Sequence, residues 1–84
     1  MSDENVIQAY TELVEHLVAP LIGDHEFKIK SKVRGNTIHL ELDAPGSVRG
    51  RLIGRGGRMA RSLRTIVETA SIPTDKKVSF DISD

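Results

Sequence analysis

The sequence holds no cysteine and no tryptophan among its 84 residues. Disulfides, thiolate metal sites and cysteine nucleophiles are therefore excluded. No apolar run approaches the roughly 18 residues that a membrane span requires. The opening Met1-Ser2-Asp3-Glu4 is acidic and lacks the basic-then-apolar layout of a signal peptide, so a cytoplasmic location is the expectation. The three histidines, His16, His25 and His39, are too scattered to suggest a metal site or a catalytic triad. No cofactor, catalytic residue or small-molecule substrate is called for. The length suits one small domain with one core, spanning residues 1–84.

Net charge is also lacking, but the zero conceals a segregation. Residues 1–26 carry −6, residues 27–64 carry +8 and residues 65–84 carry −2. From Ser47 to Val67 there are six arginines and no acid. An ordinary solvated helix mixes signs, so this distribution points to a basic face and an anionic partner.

Hydrophobic periodicity divides the chain into six elements. Val6, Ile7, Tyr10, Leu13, Val14, Leu17, Val18, Leu21 and Ile22 recur at steps of three and four, which predicts an amphipathic helix over 3–22. Ser2 or Asp3 can cap it. Pro20 argues that its regular part ends near Leu17–Ala19, with a distorted last turn to Ile22 and a stop at Gly23. Residues 26–33 alternate, with Phe27, Ile29 and Val33 on one face and Lys28, Lys30 and Lys32 on the other, predicting a half-buried strand. Arg34-Gly35-Asn36 makes a turn. Residues 37–43 alternate again, with Ile38, Leu40 and Leu42 inward, so the two strands read as a hairpin. The lysine row reads as a solvated sheet face opposite Glu41, with a nucleic-acid patch as the alternative.

After Ala44-Pro45-Gly46, Ser47 is placed to cap a short helix from Val48 to Ile53. A second helix runs from about Arg58 to Ala70, with Met59, Leu63, Ile66, Val67 and Ala70 as its buried stripe. Ser71 to Asp75 ends it. Val78, Phe80 and Ile82 alternate inward along a closing strand over 77–82. The order predicts an α+β sandwich, three helices on one face of a three-stranded mixed sheet. The helix pair acts as a crossover, so the second and third strands should be parallel and adjacent.

Between the paired helices lies Gly50-Arg51-Leu52-Ile53-Gly54-Arg55-Gly56-Gly57-Arg58. A helix starting near Gly57 or Arg58 exposes about four backbone N–H groups without intrahelical partners. Its dipole makes that end positive, and Arg58 there is unfavourable by roughly 0.3–1 kcal/mol. Gly57 offers no side-chain oxygen as a cap. Each choice is poor for an isolated helix and sensible if a phosphate sits at the site. A plain helical-hairpin turn would account for Gly54 and Gly57, but not for Gly56 or the missing acids.

The order of elements, with Ile53-Gly54-Arg55-Gly56-Gly57 between the paired helices, resembles a type II KH domain, α-β-β-α-α-β. The loop matches the G-x-x-G of KH modules, which clamp the backbone of about four single-stranded nucleotides. The run Gly50, Arg51, Ile53, Gly54, Arg55, Gly57, Arg58 resembles the corresponding stretch of the small bacterial KhpA family, with Arg55 and Gly56 as mild departures. The resemblance covers nearly the whole chain. It implies an RNA chaperone or post-transcriptional regulator that binds single-stranded RNA and self-associates or pairs with a larger KH-containing protein.

The expected mechanism sets the backbone N–H groups of Arg55, Gly56 and Gly57 against phosphates, with Arg55 and Arg58 adding charge. Val48, Leu52 and Ile53 are apolar candidates for the groove floor; one of Leu52 and Ile53 should belong to the core. Arg51, Arg61 and Arg64 would make outlying phosphate contacts. Tyr10, Phe27 and Phe80 are the only aromatics and lie on buried stripes, which argues against a sheet-face reader with exposed aromatics. The alternatives are a helix-turn-helix-like DNA reader and a dimerisation adaptor whose arginine face meets an acidic protein.

Overall fold

The computed structural model describes residues 2–23, 26–70 and 72–83; the expectations placed on His25 and Ser71 lie outside them. The Ser2 hydroxyl accepts from the Asn5 N–H at 3.2 Å and so starts α1, Asp3–Ile22. Val6, Tyr10, Val14, Val18 and Ile22 form its buried stripe. The helix is continuous through Pro20 to the positive-φ Gly23, further than the proline suggested. Pro20 lies in the last turn, where the one N–H it lacks would have served His16, and both residues are exposed.

The hairpin joins β1, Lys28–Arg34, to β2, Thr37–Asp43, antiparallel. β3, Lys77–Ile82, lies parallel to β2, giving the order β1-β2-β3. Ile38, Leu40 and Leu42 of this central strand are fully buried, each contributing about 1.5–3 kcal/mol of apolar burial. They meet Phe80, the stripe of α1, and residues of α2, Gly46–Ile53, and α3, Arg58–Glu68, in one core. The observed order is α-β-β-α-α-β, the type II KH arrangement, with a three-stranded mixed sheet.

Two strand and helix details depart from the sequence-based expectation. β1 is an edge strand that is mostly exposed: only Ile29 is half-buried, and Val33 is 42% exposed. Of its inward residues, Ile29 packs against the core while Ser31 and Val33 stay exposed. Ser47 does not cap α2. Pro45 holds that position, its carbonyl accepting from Val48 and Arg49, both at 3.0 Å. Burial raises the Tyr10 pKa above its ordinary value; its hydroxyl faces the Ala70 carbonyl at 3.5 Å.

Candidate nucleic-acid interface

α2 stops because Gly54 turns the chain sharply, with φ 75° and ψ 175°. That backbone conformation belongs to glycine almost alone. There is a second reason for glycine: a Cβ here would lie 2.8 Å from Met59 Cβ and 3.0 Å from Met59 N. Gly54 donates its N–H to the Gly50 carbonyl at 2.8 Å, closing α2. Arg55–Gly57 then form a single 3-10 turn that leads directly into α3. Gly56 and Gly57 are both left-handed, at φ 65° and φ 76°. No heavy atom outside its immediate chain neighbours lies within 4 Å of where a Gly56 Cβ would be, so the approach to the turn is open.

The N–H groups of this turn divide in two. Gly57 donates back to the Gly54 carbonyl at 3.2 Å, and Arg58 donates to Arg55. Among the described residues, the N–H groups of Arg55 and Gly56 meet no backbone carbonyl. Of the three amides expected to face phosphate, Gly57 is thus engaged within the loop. The first turn of α3 contains no acid, and Gly57 gives it no side-chain cap. Two N–H groups without a backbone acceptor, a positive helix end and no acid in the first turn are features that suit an anion.

The six arginines have separate fates. Arg49 reaches back to the Ala44 carbonyl at 3.2 Å. Arg64 donates from Nε to the Phe80 carbonyl at 3.1 Å and pairs with Asp81. Glu68, one turn further on, accepts from the Phe80 N–H at 2.9 Å. Arg64 and Glu68 together satisfy both polar groups of the Phe80 peptide on the outer edge of β3, a common way of protecting an edge strand. Arg64, expected among the outlying phosphate contacts, is thus engaged within the molecule. Arg51, Arg55, Arg58 and Arg61 remain exposed, with no carboxylate partner among the described residues.

The apolar candidates are also sorted. Val48 is 1% exposed and Leu52 0%, so both are core and neither can touch a base. Ile53 is half-buried, leaving part of its surface beside the loop. Ile66, assigned by its spacing to the buried stripe, is 45% exposed. It lines an open depression of about 600 Å³ with Arg58, Arg61, Ser62 and Thr65. The signal for it was present: Ser62 and Thr69, at i−4 and i+3, mark a polar side of the helix.

The described histidines make contacts within the molecule. His16 Nδ1 lies 2.8 Å from the Glu12 carbonyl, and His39 Nδ1 lies 2.6 Å from Ser79 Oγ. Among the described residues no cluster of metal-ligating side chains occurs, and no helix is long and apolar enough to cross a membrane. Tyr10 and Phe80 are buried and Phe27 is half-buried, so the sheet offers no open aromatic platform.

The family profile described as "KhpA/KhpB, KH domain" matches residues 11–82. The chain is similar to the RNA-binding protein KhpA of Bacillus subtilis, 35% identical over 92% of this chain and 96% of that one. It is 38% identical to the RNA-binding protein KhpA of Clostridium perfringens, over 84% of this chain and 96% of the relative. The protein of the same name from Borreliella burgdorferi is 38% identical over 87% and 90%. No solved structure matches at comparable significance.

Proposed function

The chain belongs to the KhpA/KhpB KH-domain family, and from that premise we propose that it binds single-stranded RNA, about four nucleotides at a time, through the Gly54–Gly57 loop. The observation that carries this reading is the pair of N–H groups at Arg55 and Gly56 that meet no backbone carbonyl among the described residues, set at a helix N-terminus among four arginines with no carboxylate partner among those residues. The outward amides donate to one phosphate. Arg55 and Arg58 supply charge beside it, and Arg51 and Arg61 hold the flanking phosphates. Ile53 and the Ile66 depression give the bases an apolar surface in place of the buried Val48 and Leu52.

In this reading residues 1–84 act as one module, without cofactor or catalysis, in the cytoplasm. The module serves as an RNA chaperone or post-transcriptional regulator, and it pairs with itself or with a larger KH-containing protein. A second reading draws support from the exposed Ile66 among arginines: an adaptor surface that meets an acidic protein helix.

The test is binding of a short single-stranded RNA pool by the wild type and by the Arg55→Asp/Gly56→Asp double variant, with circular dichroism to check the fold. The expected result is a loss of at least about a hundredfold, the equivalent of one or two charge-assisted hydrogen bonds. Excess duplex DNA should not compete. Unchanged binding by the folded variant would remove the loop from the mechanism, and no RNA binding by the wild type would favour the adaptor.

A further inference from the structure

The open face of the sheet is organised by register into a cationic end and a mixed end. Because Ile38, Leu40 and Leu42 point into the core, Thr37, His39, Glu41 and Asp43 point the other way. Strand pairing sets Arg34, Thr37 and Lys77 in one row across the three strands, and Lys32, His39 and Ser79 in the next. The following row is Lys30, Glu41 and Asp81, and the last pairs Lys28 with Asp43. Among the described residues of the strands, the acids on this face, Glu41, Asp43 and Asp81, fall in the last two rows. There Lys30 reaches Asp43 at 3.9 Å, and Asp81 is held by Arg64.

The first two rows contain no acid. Lys32, Arg34 and Lys77 are exposed and make no ion pair among the described residues. Asp75, two residues before Lys77, is exposed and makes none either. The rows border an open depression of about 460 Å³ lined by Lys32, Arg34, Thr37, His39 and Ser79. Outward side chains along one strand repeat at roughly 7 Å, and a span of two strands is about 10 Å. The three charges therefore form a triangle wide enough for successive phosphates.

We infer that this end of the sheet is a second binding site for a phosphodiester backbone, separate from the loop between α2 and α3. The inference rests on the RNA-binding reading of the chain. A protein partner fits less well, because these two rows offer no apolar residue to form the dry centre of a protein interface. Hydroxyl, imidazole and cationic groups are the donors that phosphate and sugar oxygens accept from. The two rows lie on the face of the sheet turned away from the core that the helices cover, so a strand held at the loop must pass an edge of the sheet to reach them. On this inference a tetranucleotide held at the loop occupies that site alone. A longer strand that wraps the domain engages both sites, so RNA length becomes part of the selectivity.

The experiment compares wild type with the triple variant Lys32→Gln/Arg34→Gln/Lys77→Gln and with a control, Lys28→Gln/Lys30→Gln, at the mixed end. Each is titrated with a single-stranded tetranucleotide and with an unstructured RNA several times longer, over a range of salt. The triple variant should keep wild-type affinity for the tetranucleotide. It should lose about tenfold for the long RNA, with a salt slope shallower by about 2, since each single-strand phosphate contact contributes about 0.7. The control should bind both as the wild type does. Undiminished long-RNA binding by the triple variant, or an equal loss from the control, would overturn the inference while leaving the loop untouched. Failure of the wild type to bind either RNA would overturn the loop reading as well.

Discussion

The two ends of α3 use arginine in opposite ways. At its C-terminal end, Arg64 and Glu68 close around Phe80, one donating to its carbonyl and the other accepting from its N–H. At its N-terminal end, Arg58 and Arg61 are exposed beside a turn whose Arg55 and Gly56 amides meet no backbone carbonyl among the described residues. The lesson is that arginine content does not locate a binding surface. The absence of an internal partner among the described residues, for side chain and backbone together, is the sharper guide to a candidate surface.

The strongest way to break the comparison is at Gly54, the joint on which the open end depends. Gly54→Ala combines a disfavoured backbone conformation with a contact of 2.8 Å to Met59 Cβ. It should destabilise the fold by roughly 2–5 kcal/mol, read as a lower denaturant midpoint, with RNA affinity lost alongside. A variant as stable as the wild type would mean that the turn can rearrange freely.

Exchanging the two ends sharpens the contrast with smaller effects. Arg64→Ala should lower stability by about 1 kcal/mol, because the bond to Phe80 is partly solvent-screened. Its affinity for a short single-stranded RNA should stay within about twofold of wild type, a difference below 0.5 kcal/mol. Arg61→Ala should leave stability within about 0.5 kcal/mol but reduce the salt slope of RNA binding by about 0.7. Paired measurements of denaturant midpoint and salt slope on both variants would collapse the distinction if they gave the same profile.

Much of this was legible in the sequence, and the failures have physical causes. The six elements, the hairpin, the parallel pairing of β2 with β3 and the glycine connection follow from periodicity and turn chemistry. The engagement of Arg64 is invisible in the sequence because its partner carbonyl lies 16 residues away, across a tertiary contact that no local pattern reports. Ile66 was misassigned because an apolar stripe at steps of three and four tolerates a residue at its margin. Val48 and Leu52 were offered to the groove although α2 has only eight residues and needs both to attach itself to the core. Ser47 lost the cap to Pro45, whose extended backbone already positions a carbonyl for the first turn.

The most direct measurement is a titration of the isotope-labelled protein with a single-stranded tetranucleotide, followed amide by amide in nuclear magnetic resonance. The account predicts the largest shifts at the Arg55 and Gly56 N–H groups, with smaller ones at the internally bonded Gly57 and along the exposed face of α3. If those two amides stay in place while residues elsewhere respond, the loop is not the phosphate site and the central claim is wrong.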